Sequence, residues 1–243
     1  MIELSEILPT TLDLPPSIAG RFPQELRERL LRLRRDLHQH PELGFDLELT
    51  SARVEQELKD IGITEIQRVA ETGLIARIPC SDSSLPAIAI RGDMDALPIH
   101  EETGFAWASQ NDGVMHACGH DVHTTWTIGA ACLLLENPPL RDVYLIFQPA
   151  EEIAQGAKAM LDSGQFPEVS AIFGAHVDRK YAVGEIVAQS GPIGASADNF
   201  NITLTGQSAH GARPHQGIDP IIGAAALVQQ AQTLISRKID PGQ

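Results

Sequence analysis

Leu26, Leu30, Leu33 and Leu37 recur at helical spacing with arginine and glutamate on the other face. The pattern predicts an amphipathic helix from about Pro23 that stops at Pro41. A second helix is expected from about Leu47 to Asp60, closed by Gly62 as a C-terminal cap. The texture then changes to short apolar runs. Ile66–Val69, Gly73–Ile78, Ala87–Ile90, Val143–Phe147 and Ala171–Ala175 read as strands, several of them continuously apolar, as strands covered on both faces are. Between them, Ile128, Ala131, Cys132 and Leu135 mark a helix over about His123–Leu135, ended by Pro138 and Pro139. A shorter helix is expected over about Ala157–Asp162, ending at Gly164.

Buried strands alternating with helices predict an α/β fold: a mainly parallel sheet with helices on both faces. From about Ala197 the pattern shifts. Asn199–Gly206 alternates polar and apolar residues, as a half-exposed strand does. A loop leads to a helix from Asp219–Pro220 to about Ile235, with Asp as N-cap and Pro at the first helical position. The expected organisation is therefore a loose arm over 1–20, punctuated by Pro9, Pro15, Pro16 and Gly20, a main α/β domain over 21–191, and the first part of a smaller α+β domain over 192–243. One strand and one helix make a poor independent core, so that last domain reads as incomplete.

Composition narrows the function. Of 243 residues, 43% are hydrophobic and 21% charged, which is ordinary for a globular chain, and the formal net charge of −14 disfavours nucleic acid and anionic membranes as partners. Aromatic residues make up 5%, too few for stacking platforms for single-stranded nucleic acid. The three cysteines form no disulfide framework and suit a reducing compartment. The first twenty residues lack a basic segment followed by an apolar run, and no apolar stretch is long enough to span a membrane. A cytoplasmic location is the expectation.

The candidate chemistry centres on Val114–His123, VMHACGHDVH, which carries three of the nine histidines. Cys118 and His120 flank Gly119, whose freedom lets a thiolate and an imidazole converge on one point. Other polar residues fall just past strand ends: Asp93 and Asp95, Glu151 and Glu152, and His176. In open α/β sheets that rim is where ligands bind. Four distant segments can therefore meet as a Cys–His–Glu–His cluster. Of the adjacent carboxylates, one can bind metal while the other serves as a base, because neighbours in extended backbone point apart. Asp93 and Asp95 read as ligands or as groups that orient a ligand imidazole. His210 lies in a loop of the second domain and has no local ligand partner. His38, His40 and His100 read as structural.

These residues sit in stretches that resemble the M20 metallopeptidases: RRDLHQHPELGF (34–45), RGDMDALPI (91–99), HACGHDVH (116–123), FQPAEE (147–152), GAHVD (174–178) and GQSAHGARPHQGIDP (206–220). The similarity is to the amidohydrolase branch of aminoacylases, hippurate hydrolases, N-acetyldiaminopimelate deacetylases and auxin-conjugate hydrolases. The resemblance implies a catalytic α/β domain with an inserted lid and dimerisation domain, through which the chain forms a homodimer. It also implies two divalent ions, zinc, manganese or cobalt, held by Cys118, His120, Glu152 and His176. Glu151 is then the general base that takes a proton from a metal-activated water, Asp95 stands behind the metals, and His210 of the lid stabilises an oxyanion. The implied substrate is a small N-acyl amino acid, cleaved at its amide bond. A dipeptidase or carboxypeptidase on the same scaffold, or a non-catalytic product with a partial metal site, are the rival readings. Members of the family run longer and supply one more histidine ligand, whereas no histidine follows His215 here. A truncated chain is therefore expected.

Overall fold

A computed structural model describes residues 20–80, 84–188, 190–191 and 200–238, the last four of these by backbone alone. The expected arm falls outside this range apart from Gly20, as does 192–199. The chain divides into two compact units, Met1–Ile186 and Val187–Gln243.

The first unit opens with α1 (Gln24–Gln39) and α2 (Glu48–Asp60), followed by β1 (Ile66–Val69), β2 (Gly73–Ile78) and β3 (Ile88–Asp93). Then come α3 (His120–Glu136), β4 (Val143–Gln148), α4 (Gly156–Asp162) and β5 (Ala171–Gly174). The five strands form one sheet in the order β1-β2-β4-β3-β5. β3 pairs in parallel with both β4 and β5, while β2 pairs antiparallel with β1 and β4. The α/β architecture expected from the sequence is present, and its parallel part is the part that carries the site.

The two-residue period of the strands sorts their side chains onto two faces. Leu74, Ala76, Ile78, Val143, Leu145 and Phe147 join Leu33 and Leu37 of α1, Val54 and Leu58 of α2, and Ile128 and Ala131 of α3 in the larger core. Ile75, Ala89 and Ile146 turn the other way and pack with Val69 and Met160 of α4. Each large side chain fully buried here contributes about 1.5–3 kcal/mol relative to exposure.

Three departures from the expected elements matter for the site. β3 runs on through Arg91 and Gly92 to Asp93, so Asp93 is the last strand residue. Gly92 permits this: a Cβ there would lie 2.7 Å from both His123 O and Thr127 Oγ1, so β3 and α3 approach closely only without a side chain. α3 starts at His120, three residues before the expected start, which places His120, Asp121 and His123 in its first turn. The strand expected over Asn199–Gly206 is absent from the described residues 200–206; the segment's paired residue is Gln207, bridged to Ile218. Polar–apolar alternation needs a partner strand to become a ladder.

In the second unit, α5 (Pro220–Lys238) begins where the Asp–Pro signal places it, and the Asp219 carboxylate accepts the Ile221 N–H at 2.9 Å. No helix among the described residues is long and apolar enough to cross a membrane.

Candidate metal centre

Cys118, Gly119 and His120 form the entry to α3. Gly119 has φ +87°, the left-handed region that glycine adopts at little cost, and a Cβ there would lie 2.4 Å from Val177 Cγ2. The turn therefore needs glycine twice, for its backbone and for the close passage of the loop after β5. It delivers His120, fully buried, to a point among carboxylates. Its Nδ1 lies 3.5 Å from Asp95 Oδ1, and its Nε2 lies 3.7 Å from Glu152 Oε1, 3.8 Å from Glu151 Oε2 and 3.7 Å from Asp93 Oδ2.

Glu151 and Glu152 occupy a turn rather than the extended backbone expected of them. Ala150 before them has φ +50°, a conformation unusual for a residue with a Cβ. It is pinned there by its N–H donating to Gly44 O at 2.9 Å and by its carbonyl accepting from Gln155 and Gly156. The buried Asp95 carboxylate accepts the backbone N–H of Glu151 at 3.0 Å and of Glu152 at 3.1 Å. Asp95 thus aims the carboxylate pair, and both side chains reach the same imidazole nitrogen instead of pointing apart.

His176 closes the cluster from the loop after β5. Its Nδ1–H donates to Val177 O at 2.6 Å, which leaves Nε2 as an acceptor, 3.4 Å from Cys118 Sγ. Among the described residues, Cys118, His120 and His176 offer ligand atoms within 4.8 Å of one another, and so do His120, Glu151 and Glu152. The two groups share His120. A third group meeting this distance, Asp93, His120 and His123, is closed by a 2.6 Å hydrogen bond between Asp93 and His123.

The donors fit divalent cations. Both ring nitrogens of His120 and Oε1 of Glu152 are buried without a hydrogen-bond partner, which is costly unless something else satisfies them. Burial, with the charges of Glu152, Glu151 and Asp93, pushes the Cys118 thiol up to about 12, so a thiolate there needs positive charge beside it. Burial and the neighbouring Glu151 raise the Glu152 carboxyl against the pull of His120. His120 itself is raised: burial opposes its charge, but Asp95, Asp93 and Glu152 outweigh burial. Negative charge is in excess at this point, and thiolate, imidazole and carboxylate together suit a divalent metal ion.

Of the residues singled out in the sequence, Cys118, His120, Glu151, Glu152 and His176 come together with Asp95 behind them. His210 belongs to the second unit, where its Nδ1 accepts the Ala212 N–H at 3.2 Å. His40 and His100 make local bonds, to Asp36 O and to Asp112. His38 does more. Its Nδ1 donates to Asp121 Oδ2 at 2.8 Å and its Nε2 to Glu101 Oε1 at 3.2 Å, while Arg34 pairs with Asp121 at 2.8 Å. Two carboxylate acceptors favour the doubly protonated ring and raise its pKa against burial. This buried cluster braces the first turn of α3 from α1, and nothing in the local sequence around His38 announces it. His123, the last histidine of the motif, also bonds at both nitrogens, to Asp93 and to Val177 N.

Residues 89–241 match the family model described as peptidase family M20/M25/M40. N-acetyl-L-cysteine deacetylase of Bacillus subtilis is 44% identical over 220 residues, 90% of this chain and 53% of that protein. IAA-amino acid hydrolase ILR1-like 5 of Arabidopsis thaliana is 40% identical over 227 residues, 93% of this chain and 51% of that protein. The chain thus spans about half the length of the curated relatives it matches. The crystal structure of the Bacillus subtilis YXEP protein, described as a dinuclear metal binding peptidase from the M20 family, superposes with a TM-score of 0.65 at 47% identity, covering 68% of this chain and 47% of that one. The family match runs from β3 through every donor of the cluster, and the solved relative with the same fold binds two metals. The chain belongs to peptidase family M20/M25/M40.

Proposed function

We propose that the protein is a metal-dependent amidohydrolase that removes the acyl group from small N-acyl amino acids. The observation that carries this reading is the fully buried, unpartnered His120 imidazole with two carboxylates at its Nε2, Glu152 and the more exposed Glu151. A structural metal site has no use for the second carboxylate. The names of the relatives, a deacetylase and an amino acid conjugate hydrolase, agree in cleaving an amide between an acyl group and an amino acid.

Cys118, His120, Glu152 and His176 are the residues that would hold two divalent ions. When bound, such ions supply positive charge that polarises a carbonyl and acidifies water. Glu151, with its side chain 39% exposed against 17% for Glu152, is the carboxylate open to substrate. It takes a proton from the attacking water at a carboxylate oxygen and returns it to the departing amine. Asp95 holds the backbone of both glutamates, so the base and the adjacent donor keep a fixed separation. In the second unit, the Nδ1 of His210 is occupied by Ala212 N–H, which leaves Nε2–H to donate to an oxyanion. We assign that unit to a lid and dimerisation element; Ile221, Ile222, Val228 and Leu234 of α5 lie exposed on it.

The test is hydrolysis of N-acetyl amino acids, with dipeptides alongside, by zinc- or manganese-loaded protein and by Glu151→Gln. The expected result is release of acetate by the parent and a fall of about 10²–10⁴-fold in the variant with its metal content unchanged. A variant that keeps its rate, or loses its metal, overturns the role of Glu151. Preference for dipeptides overturns the substrate class.

A further inference from the structure

The four proposed ligands are not held equally. Cys118 and His120 stand at the entry of a buried helix, and the backbone of Glu152 is tied to Asp95. His176 stands two residues beyond β5, an edge strand whose four residues are all exposed. Its ladder to β3 ends at the Arg91–Gly174 pair, so no sheet hydrogen bond holds His176 itself. Among the described residues, one hydrogen bond ties the backbone of this loop to α3. The Val177 N–H donates to His123 Nε2 at 3.1 Å. An acceptor at Nε2 forces the proton onto Nδ1, which donates to Asp93 Oδ1 at 2.6 Å. Asp93 Oδ2 is in turn 2.6 Å from Arg91 Nη1, and the same guanidinium donates to Gln148 Oε1 at 2.8 and 3.0 Å. The ring of His123 is fully buried, stacked on Trp126 at 4.7 Å and edge-on to His176 at 4.6 Å.

We propose that His123 is a positioning residue for the metal centre: held in one tautomer by Asp93, it accepts the Val177 N–H and so fixes the exposed loop that presents His176. The chain of bonds runs from β4 through β3 and α3 to the loop after β5, and it anchors that loop to the sheet interior. The role rests on His176 being a ligand, as proposed above.

Asparagine and glutamine separate the two bonds. Glutamine in place of His123 carries an amide oxygen near the position of Nε2 and can accept from Val177. Asparagine reaches only as far as Nδ1 and can bond Asp93 alone. Zn²⁺ titration of the purified chain against a competing chelator, with circular dichroism to verify folding, reads the difference. His123→Asn is expected to weaken Zn²⁺ binding by about 10- to 100-fold, and His123→Gln to stay within about threefold of the parent. Equal binding by parent and His123→Asn, or equal losses in the two variants, overturns the proposal. His176→Ala is the control for the ligand assignment: unchanged Zn²⁺ binding there, or none by the parent, removes His176 as a ligand without bearing on the tether. The tether is also read without any variant, by amide hydrogen exchange of the metal-free parent. Val177 is expected to exchange at least about tenfold more slowly than Asp178, and equal rates overturn the proposal.

Discussion

The first turns of α3 and the loop after β5 each bring an imidazole to one cluster, and the protein holds them in opposite ways. The helix that carries His120 is largely buried: Asp121, His123, Thr124 and Thr127 are buried beside it, Ile128 and Ala131 belong to the core, and Arg34 and His38 of α1 hold its first turn through Asp121. The segment that carries His176 is exposed throughout; Ile172 and Phe173 are 53% and 58% accessible. A donor on a packed helix is placed by the whole core. A donor beyond an exposed edge strand is placed by whatever single contacts reach it. The two regions touch where Gly119 faces Val177 and where His123 accepts the Val177 N–H, so the first lends its rigidity to the second.

The largest effect that tests this contrast compares one apolar truncation from each side. Ile128→Ala opens a cavity beneath the helix and is expected to cost about 3 kcal/mol in urea unfolding, within the usual 2–5 kcal/mol range for such truncations. Phe173→Ala on the exposed strand is expected to stay within about 0.5 kcal/mol of the parent. Similar costs for the two would erase the distinction.

Gly119→Ala probes the contact between the regions. The left-handed backbone costs a Cβ-bearing residue about 1–2 kcal/mol, and the new methyl must displace the Val177 side chain. The expected loss is about 2 kcal/mol together with weaker Zn²⁺ binding. Loss of stability with Zn²⁺ binding intact would mean that Val177 and His176 move independently of the helix.

The smallest effect concerns the brace on α3 and depends on pH. Burial opposes the charge on His38, but Asp121 and Glu101 outweigh burial and the repulsion of Arg34, so its pKa is raised from 6.5. A raised folded value means that its contribution is complete below 6.5 and is lost as pH rises through the folded pKa. Asp121 and Glu101, whose values are lowered from 3.8 and 4.5, contribute above those values and lose their contribution as pH falls through their folded ones. The nearby His116 ring, pushed down to about 4 by burial, is neutral through this window. His38→Leu is therefore expected to cost most between 4.5 and 6.5 and progressively less toward alkaline pH. At its maximum the cost should be about 1.5 kcal/mol, the lower end for a buried bond to a charged group, because Arg34 still pairs with Asp121. A cost independent of pH would show that His38 acts by packing alone.

Much of this was legible along the chain because it is written in local spacing. Apolar runs and helical periods located the strands and helices, and the metal-binding residue types stood in short motifs just past strand ends. What misled was local as well. The alternation over Asn199–Gly206 has the period of a strand, but a strand exists only with a partner, and the described residues supply none. α3 begins three residues before its apolar pattern does, because its first turn is polar, and a polar first turn looks like loop until Asp93, Asp95, Arg34 and His38 are seen paired with it.

By itself, then, the sequence determined the class of fold, the family and the inventory of candidate donors, since these follow from periodicity and from motifs read a few residues at a time. Only the tertiary structure decided how the donors are held. It turned Glu151 and Glu152 toward one nitrogen, made Asp95 the anchor of their backbone, and gave His123 its acceptor role. The last two depend on partners more than fifty residues away, brought within about 3 Å by the sheet order and by the close passage of β3, α3 and the loop after β5.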